Sequence, residues 1–161
     1  MKAYFLKLYR YNHWAHLEIL KAVQSVYLSS PYISETFSHA INAQYIWTGR
    51  INLDKKTPFK VREIQDLSKL EATISYITKD WLIYLENITT EELERKIHYT
   101  NSFGESFTSV IQDVIAHLIN HSTYHRAQVV KELRILGISP PNTDYITYCR
   151  LLEAGSIKDQ F

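Results

Sequence analysis

Apolar residues recur every three or four positions along most of the chain, which is the spacing of one face of an α-helix. This pattern predicts a first helix over about residues 3–27. Ser30 and Pro31 then match an N-cap followed by proline at the first helical position, so a second helix is predicted from there to about residues 47–48. Gly49 is the expected stop, because glycine readily adopts the conformation that ends a helix.

The middle of the chain combines a polar segment, a third helical pattern and a short alternating stretch. Residues 49–59, GRINLDKKTPF, are polar and include Pro58, which predicts a crossover loop. In residues 93–107, Ile97 and Tyr99 alternate with polar residues and Gly104 can turn the chain, so a short hairpin is predicted. Between these segments a third helix is predicted over about residues 61–85 from one apolar stripe: Ile64, Leu67, Leu70, Ile74, Ile77, Trp81 and Leu85.

The last third of the chain predicts one long helix and one short helix. The long helix covers about residues 108–136 and ends at Gly137, and Pro140 and Pro141 keep it from continuing. Thr143 is expected to cap a final helix that runs to about residue 152. Four long amphipathic helices with one long connection predict an all-α fold. We expect an up-down four-helix bundle with a long crossover loop and a short C-terminal helix, forming a single domain over residues 1–161.

The composition favours this fold and excludes some function classes. Hydrophobic residues make up 45% of the chain, and only four Gly and four Pro are present, which favours long helices over a turn-rich β fold. The net charge is +1 with basic residues spread along the chain, which argues against a nucleic-acid partner because that requires a basic face. No stretch approaches the roughly 20 apolar residues of a membrane span. Cys149 is the only cysteine, so a reducing, cytoplasmic environment is expected.

Three of the seven histidines, His117, His121 and His125, are spaced four residues apart in the predicted fourth helix. On a helical wheel centred on Ile111, His125 lies about 40° from the middle of the apolar stripe, His121 about 80° and His117 about 120°. The pair expected to face the interior is therefore His121 and His125. His117 is expected at the rim or outside.

Two imidazoles at positions i and i+4 can reach one ion, because their Cβ atoms lie about 6 Å apart. His117 and His125 lie roughly 12 Å apart along the helix axis, too far to share an ion easily. A mononuclear site therefore needs a third ligand from another helix. His39 is attractive because Ala43 and Ile46 share its face. The open candidates for this ligand are His13, His16, His39 and His98.

The spacing alone leaves two interpretations of this pair: ligands for a divalent metal, or hydrogen-bonded histidines with a structural role. The pair is not the H-E-x-x-H motif of zinc proteases, because Ser122 occupies the position of the catalytic glutamate. The sequence also lacks a glycine-rich phosphate loop and a G-x-S-x-G nucleophile motif.

Residues 117–146, HLINHSTYHRAQVVKELRILGISPPNTDYI, resemble the C-terminal signature of the DinB-like superfamily, which comprises damage-inducible DinB and YfiT-like metalloenzymes. FSHAINAQYIWTGRI is similar to the second-helix motif of this superfamily, and LYRYNHWAH is similar to the start of its first helix. The residues that match the C-terminal signature are Asn120, His121, His125, Arg126, Gln128, Gly137, Pro140, Pro141 and Asp144.

The resemblance implies an up-down four-helix bundle with a three-histidine site for nickel or zinc. Carried over by position, the metal ligands are His39, His121 and His125. His16 stands where relatives often carry Asn, and is a candidate fourth ligand or proton carrier. Gln128 is a candidate for orienting a ligand or a bound water. The chain departs from the superfamily at Ala127, where relatives often have Gly, and little damage is expected because Ala favours a helix.

The implied function is that of a metal-dependent enzyme acting on a small molecule, either a hydrolase or a transferase or isomerase that uses a low-molecular-weight thiol. Hydrolysis normally needs a general base near the metal, and neither ligand motif contains Asp or Glu, which favours thiol chemistry. The alternative is a non-catalytic metal- or ligand-binding bundle protein of a stress response. A homodimer is expected from the aromatic-rich first and last helices. Arg126 is expected to point away from the site as an intersubunit or cap contact, and Tyr124 and Trp47 to serve packing or an interface.

Overall fold

The structure is a computed structural model that describes residues 1–52, 60–101 and 103–158. Within these residues the fold is mostly helical, which confirms the predicted all-α class at that level, and it also contains the predicted hairpin. No described helix is both long and apolar enough to cross a membrane. The elements are α1 (Lys2–Val23), α2 (Pro31–Ile51), α3 (Leu67–Asn87), α4 (Thr90–Glu94), β1 (Lys96–Thr100), β2 (Ser106–Val110), α5 (Ile111–Ile135) and α6 (Tyr145–Glu153).

The start of α2 follows the prediction and its end does not. The Ser30 hydroxyl accepts a hydrogen bond from the Ile33 amide at 3.4 Å, and Pro31 occupies the first helical position. The predicted stop at Gly49 is wrong, because the helix continues to Ile51. Trp47 and Ile51 are both buried, so the apolar face extends one turn beyond the glycine. The rest of the predicted crossover loop, residues 53–59, lies outside the described residues.

The third long helix begins six residues later than predicted. The Asp66 carboxylate accepts a hydrogen bond from the Ser68 amide at 3.0 Å, and this cap fixes the start of α3 at Leu67. Ile64, which was placed on the apolar stripe, is exposed. Residues 60–65 instead form a non-helical segment whose backbone is hydrogen-bonded to side chains of α2.

The hairpin changes the start of the last long helix. Lys96 lies opposite Val110 and Thr100 opposite Ser106 in an antiparallel pair, and Gly104 has φ +85° in the turn. Residues 108–110 therefore belong to β2, and the predicted helix start at residue 108 is wrong. The helix begins at Ile111, whose amide donates a hydrogen bond to the Arg95 carbonyl at 3.0 Å.

The remaining helix boundaries to compare with the prediction are the ends of α1 and α5 and the start of α6. Gly137 has φ +75°, and the Ile138 amide donates to the Leu133 carbonyl at 2.9 Å, which is the Schellman arrangement that ends α5. The predicted first helix is four residues too long, because α1 ends at Val23 and Tyr27 lies in the turns that follow. The last helix begins one residue later than predicted, because Asp144 rather than Thr143 occupies its N-cap position.

The four long helices contact one another in pairs around a common apolar core. α1 packs against α3 and α5, and α2 packs against α5 and α3. The core continues from these helices into the hairpin through Ile97. A smaller apolar cluster around Tyr11 and Tyr148 joins α1 to α6, and the Tyr11 hydroxyl donates to the Thr143 carbonyl at 2.9 Å. The α2–α5 contact brings His39 together with His121 and His125.

Candidate metal centre

Three histidines from two helices converge at the α2–α5 contact. His39 comes from α2, and His121 and His125 come from consecutive turns of α5. Each of the three rings contributes one nitrogen, and these three nitrogens all lie within 4.8 Å of one another. Each side chain is partly buried, so the group is held by the fold and remains open to a small ligand.

The nitrogen spacing fits a shared divalent ion. The Nε2 atoms of His121 and His125 lie 3.2 Å apart. Two nitrogens bound to one ion at about 2.0–2.1 Å lie about 2.8–3.4 Å from each other in octahedral or tetrahedral geometry. Imidazole nitrogens are good ligands for zinc, nickel, copper and iron. The donor set and its spacing therefore fit the metal site that the sequence predicts.

Hydrogen bonds at Nδ1, on the side of the ring opposite Nε2, orient two of the three rings. His39 Nδ1 lies 3.0 Å from the Val61 carbonyl oxygen, which can only accept, so Nδ1 carries the proton. His125 Nδ1 lies 2.7 Å from Oε1 of Gln128 and donates to it. These bonds leave the Nε2 lone pairs of His39 and His125 free for a metal, which is the usual arrangement of protein histidine ligands. Gln128 thus contacts a predicted ligand, as expected for an orienting residue.

The Val61 carbonyl is itself positioned by a buried side chain of α2. Asn42 is fully buried, and its amide donates to the carbonyl oxygens of Lys60 at 3.2 Å and Glu63 at 2.7 Å. Its own carbonyl oxygen accepts a hydrogen bond from Gln65 Nε2 at 2.8 Å. Asn42 therefore fastens the segment after the crossover against α2, next to the residue that orients His39.

Burial favours the neutral forms of His121 and His125. The pKa of His121 is lowered to about 3, chiefly by burial and further by the neighbouring His125, His39 and His117. Burial also lowers the pKa of His125. A metal binds only the unprotonated nitrogen, so these shifts keep the group ready for a metal at neutral pH.

A cavity of about 350 Å³ opens directly off the histidine group. Arg50 lies against its aromatic wall, with its guanidinium 4.6 Å from the centre of the Trp47 ring and 4.8 Å from that of Tyr99. Such stacking of a guanidinium on aromatic faces is favourable. No Asp or Glu lines this cavity among the described residues. Its wall includes His39, His121, His117, Trp47, Arg50 and Tyr99.

The other predicted residues have mixed outcomes. His117 is exposed at the rim, as expected, and its ring lies 5.7 Å from that of Trp47 in the cavity wall. His16 is not brought into the histidine group; it is buried against the Phe37 ring at 6.0 Å, and burial holds its pKa well below the usual value. Trp47 is buried and packs against Tyr99, as predicted for a packing residue.

The remaining third-ligand candidates lie elsewhere. His13 Nδ1 contacts the Thr78 hydroxyl at 3.2 Å within the core, and His98 Nδ1 contacts the Thr108 hydroxyl at 2.8 Å on the hairpin. Of the four open candidates, the structure places only His39 beside the pair on α5.

The prediction that Arg126 points away from the histidine group is confirmed, and the prediction that it is an intersubunit or cap contact is wrong. Its side chain is only 2% exposed and donates hydrogen bonds to Asn12 and Tyr11 of α1, so it is not directed outward. The sequence reasoning also missed Arg50 and the hairpin aromatics as part of the site wall. The signal that could have identified them was the predicted hairpin, which follows the third helix and must pack against one end of α2.

Comparisons of the sequence with known proteins identify the family of this chain. The sequence profile of the DinB family matches residues 1–156. Protein DinB of Bacillus subtilis (strain 168) is 25% identical over 171 aligned residues, which cover 92% of this chain and 95% of that protein. The uncharacterized protein YjoA of the same strain is 21% identical over 103 residues, covering 64% of this chain and 66% of its own length. No solved structure matches the chain significantly. Because the profile covers nearly the whole sequence, this chain belongs to the DinB family.

Proposed function

We propose that this protein is a divalent-metal-dependent enzyme in which His39, His121 and His125 bind one nickel or zinc ion. The observation that carries the proposal is the convergence of three ring nitrogens within 4.8 Å, with two of the rings oriented by hydrogen bonds at Nδ1. Three neutral ligands leave the ion its full charge and open positions, where it would acidify a bound water or thiol.

The long helices support a specific framework for this centre. We infer that α1, α2, α3 and α5 form a single-domain, up-down four-helix bundle whose long crossover joins α2 to α3. The pairwise packing of these helices around one apolar core supports this inference. In such a bundle, metal ligands project inward from facing helices, as His39 and the histidine pair do.

The cavity beside the histidines supports a substrate with a flat apolar body and an anionic group. Trp47, Tyr99, Phe103 and Phe107 supply apolar wall area. Arg50 lies against two of these rings, which contact each other, and can donate to a carboxylate of the substrate. A volume of about 350 Å³ suits a small molecule.

The polar groups of the cavity favour transfer or isomerisation over hydrolysis. Hydrolysis at a metal centre normally uses a carboxylate or another base to accept a proton from water. The described lining contains no carboxylate, and its one imidazole outside the proposed ligand set is that of His117 at the rim. A low-molecular-weight thiol needs less help, because coordination alone lowers the pKa of the thiol. We therefore propose a thiol-dependent transferase or isomerase, with a hydrolase as the less supported enzymatic form.

The same lack of a carboxylate supports one different class. A non-catalytic metal- or ligand-binding protein of a stress response would need the histidines and the cavity but no proton acceptor. The two classes differ in turnover and not in metal binding, so they are separated by assay rather than by geometry.

We also propose a cytoplasmic homodimer. Tyr4 of α1 and Ile146 of α6 are exposed apolar side chains on the two helices predicted to form the interface. Light scattering should give twice the chain mass, and a monomer mass would contradict the dimer.

The first experiment measures metal content by mass spectrometry on untagged protein after reconstitution with nickel or zinc. We expect about one ion per chain in the native sequence and less than a tenth of that in His121→Ala and His125→Ala. His98→Ala is the matched control, because the exposed His98 side chain contacts Thr108 and does not belong to the histidine group. Equal metal in all four proteins, or none in the native one, would contradict the site.

The second experiment tests the reaction class. Reconstituted protein is assayed with thiol-conjugation substrates and with esterase substrates, and each panel includes acids and their neutral amides. Metal-dependent turnover of acids with a thiol, reduced at least about tenfold in Arg50→Ala at unchanged metal content, is the expected result. No turnover in either panel by the metal-loaded protein would favour the binding protein.

A further inference from the structure

A second cavity, of about 590 Å³, lies on the side of α5 away from the histidines. Val130, which lines it, lies nine positions after His121 and so about half a turn around the helix. The cavity is closed by α1 on one side and by the segment before α6 on the other. Its apolar lining consists of two tyrosines and six aliphatic or proline side chains: Leu8, Ile119, Ala127, Val130, Pro140 and Pro141.

Arg126 brings a buried positive charge to this cavity. Its guanidinium donates hydrogen bonds to the Asn12 amide oxygen, to the Tyr11 hydroxyl at 3.2 Å and to the Thr123 hydroxyl at 3.0 Å. All three acceptors are neutral. They use three of the five N–H groups of the guanidinium, and the other two have no acceptor among the described residues.

No carboxylate among the residues that the structure describes neutralises the charge of Arg126. No described carboxylate forms an ion pair with it, although Asp144 lines the same cavity and is exposed. Burial lowers the pKa of Arg126, as expected where no acid compensates the charge. A buried charge that lacks an opposite charge is strongly unfavourable, so buried arginines are normally paired. Arg134 lines the cavity as well and adds a second positive charge.

We propose that this cavity binds a small carboxylic acid, with the carboxylate on Arg126 and the apolar body against α1, α5 and the Pro140–Pro141 segment. A monoanion matches the single buried guanidinium, and the apolar lining favours a hydrocarbon body over a free inorganic anion. The site is separate from the histidine group and does not depend on metal binding there.

The test is calorimetric titration of the full-length protein with octanoate in the presence of a chelator, so that the acid cannot bind a metal. Octanol is the matched ligand, with a similar chain and no charge. We expect saturable octanoate binding and at least about tenfold weaker octanol binding, because a charge-assisted hydrogen bond is lost.

Two variants locate the binding. Ala127→Phe fills the cavity from an exposed helix position, so it should fold normally and lose octanoate binding at least about tenfold. His125→Ala, which removes the proposed metal ligand on the opposite face, should bind octanoate like the native protein. No octanoate binding, equal binding of octanol, native-like binding by Ala127→Phe or lost binding by His125→Ala would each overturn the proposal.

Discussion

The two faces of α5 carry polar groups of opposite kind. On one face burial favours the neutral forms of His121 and His125, and their ring nitrogens converge with that of His39 where a cation can bind. On the other face Arg126 is positively charged and surrounded by neutral acceptors beside a cavity. The helix α5 therefore carries groups suited to a cation on one side and a group suited to an anion on the opposite side.

The difference shows how burial acts on the two kinds of group. Burial of an imidazole removes its charge, because the ring can release a proton, and the neutral ring is then a metal ligand. Burial of a guanidinium cannot do so, because arginine stays protonated, and the charge must be compensated by another group. The histidine face is thus prepared for its ligand by a pKa shift. The arginine face is prepared by an unneutralised charge.

The largest expected effect comes from a substitution outside the histidine group that removes the support of one of its rings. Asn42→Ala removes three hydrogen bonds that hold the segment containing Val61 against α2. We expect the free energy of unfolding to fall by about 3 kcal/mol, at about 1 kcal/mol for each bond. Metal affinity should also fall, because the carbonyl that orients His39 loses its anchor. Urea denaturation and metal titration measure these two effects.

The matched control for Asn42→Ala is Asn120→Ala. Asn120 is exposed on α5, and its amide donates only to the Ala116 carbonyl one turn earlier. That change should alter the free energy of unfolding by less than about 0.5 kcal/mol. Equal destabilisation by both variants would show that Asn42 does not anchor the segment.

The next prediction concerns the pH dependence of stability, to which the histidine face contributes and the arginine face does not. The pKa of His121 is about 3 in the folded protein and near 6.5 when unfolded, so below pH 6.5 the unfolded chain binds a proton that the folded chain does not. Stability of the metal-free protein should therefore fall as the pH is lowered from about 6.5 towards 3. The slope is up to about 1.4 kcal/mol per pH unit for each such histidine.

Denaturation of metal-free protein between pH 7 and pH 5 tests this slope. His121→Asn removes the titrating ring and should reduce the slope. Arg126 contributes nothing over this range, because its guanidinium stays charged. An unchanged slope in His121→Asn would show that His121 is not held neutral by the fold.

A smaller effect probes the orientation of one ligand. Gln128→Ala removes the acceptor that lies 2.7 Å from His125 Nδ1. Metal affinity should fall about tenfold, because partners of this kind fix the ring and its tautomer. Gln112→Ala is a control with the same chemical change, since Gln112 lies near the start of α5, far from His125 along the helix. Metal titration showing equal affinities for both variants would remove Gln128 from the site.

The sequence predicts the histidine face well because its signal is local. Spacing along one helix and the apolar period separate His121 and His125 from His117 without any tertiary information. The choice of His39 over His13, His16 and His98 depended on resemblance, because it requires knowing how two helices pack. The stop at Gly49 failed for a related reason: Trp47 and Ile51 bury one further turn, and that packing outweighs the weak preference of one glycine.

The arginine face could not be predicted, because nothing local distinguishes a buried arginine from an exposed one. The position of Arg126 directly after a predicted ligand indicates only that its side chain points away from the histidine group. Its environment is made by Asn12 and Tyr11, more than a hundred residues away along the chain. The C-terminal signature also contains Pro140, Pro141 and Asp144, and these residues line the second cavity rather than the histidine site.

The smallest expected change in stability sharpens the comparison most. Asn12→Asp keeps the shape of the side chain that accepts from Arg126 and supplies the missing negative charge from within the protein. The attraction in such a buried pair is offset by desolvation of the new carboxylate, so we expect the free energy of unfolding to change by less than about 1 kcal/mol. Octanoate binding should nevertheless fall at least about tenfold, because the guanidinium is already neutralised. Asn12→Leu, which removes the acceptor without adding charge, should lower stability by about 1–3 kcal/mol and retain octanoate binding. If Asn12→Asp binds octanoate as the native protein does, the unneutralised charge of Arg126 is not what prepares this face of α5 for a ligand.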